Sequence, residues 1–230
     1  MIAGAGTATP LLYFAPGSCA RVSLIALEEI GAPFATRLVK FMRGEHRSAD
    51  YLKINPAGKI PALVIDTDVV TQTSAILWYL AQRFPDAKLL PAADGYLEEA
   101  QMLARLSWFS ADLHPLVTRI RMPQFACDLP EAPARVREMA SANMVLQLAQ
   151  TEQLLTSQPW LLGETWSILD AYLHWVWFRI TGAGFDQGHF PAIVAHAERI
   201  ERRPSVIRAL LREQEAEAEL AALGLNVRLN

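Results

Sequence analysis

NPAGKIPALVIDTDVVTQTSAILWYLAQRFP, residues 55–85, is the stretch that decides how this chain folds. It opens with a loop around Gly58 and reaches Ile60-Pro61, where the proline begins an apolar run. Proline has no N–H to give to a ladder, so it fits the first residue of a strand, and an X-Pro bond there is a candidate for the cis isomer. Residues 62–65 read as that strand, Asp66-Thr67-Asp68 as a turn, and Val69-Val70 as a short returning strand. Thr71-Gln72-Thr73-Ser74 then leads into a helix with apolar residues at helical spacing, from Thr73 to Phe84, closed by Pro85. A strand that ends in small polar residues at a helix start aims unpaired backbone N–H groups and the positive end of the helix dipole at one point. That makes an anion site.

Upstream, Leu11 to Phe14 is a short apolar strand and Pro16-Gly17-Ser18 a turn. A helix starting at Ser18 or Cys19 carries Val22, Ile25, Leu27 and Ile30, and Gly31 supplies its C′ glycine. Phe34 to Val39 alternates as a second strand, and residues 43–53 are polar with a weak helical segment near 48–52. The order is βαβ followed by αββα. Downstream, PDAKLLPAAD (residues 85–94) brings two prolines and a change of pattern. Beyond it only helical spacing remains, over 95–120, 131–155, 167–180, 190–201 and 205–223. The chain therefore reads as an α/β domain at 11–86, a linker at 87–93 and an all-helical domain at 94–230, after a loose leader at 1–10.

At 230 residues such a chain can bury a substantial core. With 52% hydrophobic and 20% charged residues it is globular rather than disordered. A net charge of -3 without a basic stripe argues against nucleic acid as a partner. No uncharged run approaches the roughly 18 apolar residues of a membrane span, and the first ten residues lack the charges and apolar core of a signal peptide. Two cysteines, Cys19 and Cys127, are too few for a disulfide framework, which fits a reducing, cytoplasmic setting. No His/Cys spacing suggests a metal, and no glycine loop suggests a nucleotide phosphate.

Two further segments carry chemistry. In YFAPGSC, residues 13–19, a thiol sits at a helix start, the setting that favours thiolate. A thiol at about 8.5 is ~3% ionised at pH 7, and a shift of about two units, or roughly 2.7 kcal/mol, makes it mostly thiolate. One charge-assisted hydrogen bond and a helix N-terminus can supply that. The second is Ser167-Ile168-Leu169-Asp170, a capping box with Asp in place of the commoner Glu. It is read as structural; Trp175, Trp177 and Phe178 behind it are read as core, with the alternative that one of them reaches an apolar ligand pocket.

Loop, proline, hairpin and anion-capturing helix together resemble the glutathione-binding half of a thioredoxin-fold domain, as in glutathione S-transferases. PGSC and the histidine in SADLHPLV are similar to the bacterial beta class in particular. The resemblance spans residue 11 to about 210. It implies a thioredoxin-like N-terminal domain that binds glutathione and an all-α C-terminal domain that contributes the electrophile site. It implies conjugation of glutathione thiolate to small apolar electrophiles by a homodimer, with no metal.

The resemblance also assigns residues. Cys19 faces the glutathione sulfur, with Ser18, the position used by serine-type classes, as the neighbouring alternative. Ile60, before Pro61, offers its backbone N–H and C=O to the peptide as an added strand would. Gln72 and Thr73 hold the γ-glutamyl end, Gln72 through its amide and Thr73 through its hydroxyl and N–H. His114 points to the active cleft, and Arg43, with Lys40 and Lys59 as alternatives, holds the glycine carboxylate. Two other activities stay open at this point. One is a thiol–disulfide reductase that uses Cys19 covalently, without a second cysteine for a CxxC mechanism. The other is a non-catalytic glutathione-binding or scaffold protein of the same fold.

Overall fold

The computed structural model describes residues 9–127 and 129–225, so most of the expected leader lies outside the described residues. Four strands, β1 (Leu11–Phe14), β2 (Ala35–Leu38), β3 (Ala62–Ile65) and β4 (Asp68–Thr71), form one sheet in the order β2-β1-β3-β4. β1 runs parallel to β2 and antiparallel to β3, and β3 is antiparallel to β4. The β1–β2 connection is the helix α1 (Ala20–Ile30), which ends on Gly31 in the left-handed region at φ 71°, its N–H bonded to the Leu27 carbonyl. β3 and β4 join through Asp66-Thr67, with Asp66 at φ 53°.

Between β2 and β3 lie two short 3-10 turns and α2 (Ala49–Ile54), capped by the Ser48 hydroxyl, which accepts from the Tyr51 N–H. After β4 comes α3 (Thr73–Arg83). Strands and helices thus occupy the expected places, with ends shifted by a residue or two.

The chain divides into two compact units, one made of the stretch up to Ala87 with the stretch from Pro204, the other running from Lys88 to Arg203. The helical unit contains α4 (Tyr96–Ser107), α5 (His114–Arg121), α6 (Ala132–Leu155), α7 (Ile168–Thr181) and α8 (Pro191–Ile200). Helix α7 is buried along almost its whole length, as its apolar sequence requires, with Tyr172 stacked on Phe109 at 4.8 Å. Ser167 and Asp170 form the capping box. Asp170, fully buried, also accepts from the Leu161 N–H at 2.8 Å and lies 2.9 Å from His196 Nε2.

Two features depart from the periodic reading. First, the helix expected over 95–120 is interrupted by a π-helical segment, Trp108–Leu113, in which the His114 N–H reaches back five residues to the Phe109 carbonyl. Pro115 has no N–H and its ring would press on the carbonyl four residues earlier, and a widened turn relieves both. Second, α9 (Pro204–Ala222) belongs to the sheet unit, where it packs along α1. Its inner face is Val206, Ala209, Glu213, Ala216 and Leu220. REQEAEAEL (residues 212–220), which reads as a solvated face of alternating charges, therefore buries one of its glutamates. Glu28 on α1 accepts from Arg208 Nε at 2.7 Å and from Arg212 Nε, which fixes the pairing of the two helices. Among the described residues no helix is long and apolar enough to cross a membrane.

Candidate functional site

Sheet register brings the sequence-selected segments of the first unit to one edge. Tyr13 of β1 lies opposite Ala62 of β3, and Ala62 lies opposite Thr71 of β4. The turn after Phe14, the Ile60-Pro61 entry to β3 and the Gln72-Thr73 exit from β4 therefore follow at the same end. Because β1 and β2 are parallel, with Phe14 opposite Leu38, the segment from Val39 to Arg43 leaves there too.

The turn after β1 depends on Gly17, held at φ 67°, where a side chain would be strained. Ser18 is consumed by that turn. Its hydroxyl donates to the Ala15 carbonyl at 2.7 Å and accepts from the Ala20 N–H at 3.3 Å. Cys19 follows at the start of α1, 8% exposed, and its thiol donates to the Ile60 carbonyl at 3.7 Å.

Ile60 is set by a scaffold that the sequence reading did not single out. The Tyr51 hydroxyl and the Asn55 amide both donate to the carbonyl of Lys59, the preceding residue, at 2.7 and 2.5 Å. Asn55 Oδ1 also accepts from the Ala57 N–H, and the Asn55 carbonyl from the Gly58 N–H. Burial chiefly, and then the nearby Tyr13, hold the Tyr51 phenol protonated well above its ordinary range. The Ile60-Pro61 bond is cis, as the sequence suggested. Gly58, at φ 60°, lies so close to His46 and Arg47 that an added Cβ would meet the His46 carbonyl oxygen at 3.0 Å and Arg47 Cδ at 3.2 Å.

Gln72 sits at φ 69° and ψ 123°, a backbone conformation that side chains adopt at a cost of order 1–3 kcal/mol. It turns the chain from β4 into α3, so that Thr73 becomes the first helical residue, buried, while Gln72 is exposed. The first-turn N–H groups of a helix have no intrahelical acceptor, so the Gln72-Thr73 corner presents donors to an anion. Arg43 ends a 3-10 turn and is exposed. Of its alternatives, Lys59 is exposed and Lys40 pairs with Glu219 on α9 at 3.2 Å.

A model of the glutathione S-transferase N-terminal domain matches residues 17–83, which include the Cys19 turn, Ile60-Pro61 and Gln72-Thr73. Glutathione S-transferase GST-4.5 of Xanthomonas campestris is 30% identical over 216 residues, covering 94% of this chain and 99% of that protein. The chain belongs to the glutathione S-transferase family. Among solved structures, the bacterial beta class glutathione S-transferase of Sphingomonas chungbukensis superposes with a TM-score of 0.76 at 31% identity, covering 88% of this chain and 98% of that one. A sphingomonad glutathione S-transferase complexed with glutathione gives 0.77 at 30% identity, covering 89% and 98%.

Within the family's helical half, His114 is the first residue of α5, directly after the π-helical segment. It is half-buried, with its ring edge-on to Trp175 of α7 at 4.7 Å. Trp175 and Trp177 are buried in that unit, as their place on an apolar helix predicted, whereas Phe178, also read as core, is only partly buried. Among the described residues no cluster of His, Cys, Asp or Glu has the makings of a metal site. Tyr51 and Asn55 escaped the sequence reading because they act on the backbone of Lys59 through a loop closure that no local pattern announces. An Asn that precedes a Pro-Ala-Gly turn is the one signal that pointed there.

Proposed function

We propose that this glutathione S-transferase binds glutathione at the edge formed by Cys19, Ile60, Pro61, Gln72 and Thr73 and adds its sulfur to small apolar electrophiles. The observation that carries the proposal is the contact of the Cys19 thiol with the Ile60 carbonyl, at the edge where β4 hands over to α3. A peptide laid along Ile60 as an extra strand has its cysteine beside Cys19 and its γ-glutamyl carboxylate toward the start of α3. The bound tripeptide in the sphingomonad relative supports glutathione as that peptide. Cys19 then donates to, or shares a proton with, the glutathione sulfur and favours its thiolate. The thiolate attacks the electrophilic carbon, a C–S bond forms, and the leaving group departs with its electron pair. Arg43 serves the glycine carboxylate. The protein acts in the cytoplasm as a homodimer, a state supported by exposed apolar side chains such as Leu97 of α4 and Leu146 of α6.

The same contact supports a second reaction, in which the Cys19 thiolate attacks a glutathionyl disulfide, takes glutathione onto its own sulfur and expels the other thiol. Cys19→Ala and Ser18→Ala, assayed for conjugation to a chlorodinitrobenzene and for reduction of a glutathione mixed disulfide, separate the two. Loss of only the second activity in Cys19→Ala assigns the reductase. A fall of tenfold or more in conjugation kcat/KM assigns the transferase. Ser18→Ala is expected to lower stability while leaving chemistry in place, since the Ser18 hydroxyl is spent on the turn. Full activity of both variants in both assays would refute a side-chain role for this turn.

A further inference from the structure

The residue that ties down the Cys19 turn comes from the far end of the fold. Glu213, on α9, is 2% exposed. Its Oε1 accepts from the Gly17 N–H at 3.1 Å, and its Oε2 accepts from Arg21 Nε at 2.9 Å and from Arg21 Nη2. One carboxylate thus spans the turn from two residues before Cys19 to two residues after it. A buried ion pair is weak evidence for stability, because well-packed apolar residues often replace one without loss. Holding a carboxylate at this spot calls for another account, and its two arms give one. The Gly17 arm fixes the backbone entering the turn, and the Arg21 arm fixes the first turn of α1.

We propose that Glu213 is a positioning residue for the reaction, which sets the Cys19 sulfur against Ile60 by clamping both flanks of the turn and balances the buried charge of Arg21. The inference rests on the reading of Cys19 as the group that faces the glutathione sulfur. One helical turn further on, Glu217 lies on the same side of α9. Burial first, and then the charge of Glu213, push its carboxyl above the usual carboxylate range, against the pull of Arg21. The clamp thus brings together Arg21 from α1 and Glu213 and Glu217 from α9. Of these, Glu213 forms an ion pair with Arg21.

The test uses the full chain in a Cys127→Ser background, where Cys19 is the one remaining thiol. Two variants are compared, Glu213→Gln, which removes the charge and keeps an acceptor for Gly17, and Arg21→Met/Glu213→Met, which removes the pair and the acceptor together. Three quantities are read: melting temperature, kcat/KM for conjugation of glutathione, and the pH midpoint of Cys19 alkylation by iodoacetamide. In Glu213→Gln the loss of one negative charge beside the Cys19 turn is expected to move the alkylation midpoint down. In the double variant the melting temperature is expected to fall only modestly, through loss of the Glu213 acceptor for Gly17, while kcat/KM falls at least tenfold. A double variant with the parent's melting temperature, kcat/KM and midpoint overturns the proposal. Failure of both variants to fold overturns it too, since the clamp then serves stability alone. Cys19→Ala in the same background keeps the two ideas apart. If it conjugates at the parent's rate, the reading of Cys19 fails, while the alkylation data still report on Glu213.

Discussion

Asp170 shows how much a single carboxylate does once a fold has enclosed it. At sequence level it is half of a capping box, worth about 1 kcal/mol. In the structure it accepts from the Ser167 N–H and hydroxyl at 2.8 and 3.1 Å, and it also serves the Leu161 N–H and His196. Its removal leaves buried donors without their acceptor as well as an uncapped helix. Asp170→Ala is therefore expected to cost on the order of 3 kcal/mol or more in urea unfolding, whereas loss of the Ser167 hydroxyl alone costs about 1. The local spacing announced the box. It was silent about Leu161 and His196, which arrive from nine and 26 positions away.

At the scale of elements, the four strands and most of the helices were legible from alternation, helical spacing and turn residues, because those signals are local. What escaped is what tertiary packing decides. The π-helical segment before His114 has no periodic signature, and only Pro115 hinted at a disturbance. Helix α9 misled for a different reason. Its run of alternating charges reads as a solvated helix face, while the buried residues from 206 onward, 206, 209, 213, 216 and 220, follow steps of three and four and take Glu213 inside. A carboxylate in the middle of an apolar stripe reads as surface until Arg21 is seen beside it. Of the candidate site, the sequence pointed to segments that the sheet brings to one end, those of Cys19, Ile60-Pro61 and Gln72-Thr73, but the Tyr51 and Asn55 supports came only with the fold.

The same helix predicts a pH effect. The Glu217 carboxyl is raised in the folded protein, so the folded state holds its proton more tightly than the unfolded chain does. That contribution is present below the ordinary carboxylate range and is lost as pH rises through the raised value. Glu217→Gln is expected to raise the melting temperature at pH 7–8 and to leave it unchanged near pH 3. A shift of equal size at both pH values would refute this assignment.

For the whole molecule, the grouping of α9 with the sheet makes the first unit discontinuous in sequence. Without α9, Arg21 and Glu28 on α1 lose the carboxylate and the two arginines that serve them, and buried charges stripped of their partners cost several kcal/mol each. A chain ending at Arg203 is therefore expected to lose glutathione binding in calorimetry and protection of the β1–α1 amides in hydrogen exchange. Retention of both would show that residues 11–87 stand alone.

This arrangement also orders events on the ribosome. The first 87 residues emerge early and contain every strand of the sheet, yet the helix that covers α1 is translated only after the whole helical unit. At roughly 5–20 residues per second, the 116 residues from Lys88 to Arg203 impose a wait of about 6–23 seconds. Through that interval the nascent sheet carries an uncovered, charge-bearing helix and is a natural client for a chaperone. Glutathione-binding competence is therefore expected to appear late and abruptly in synthesis, when residues 204–222 have cleared the exit tunnel.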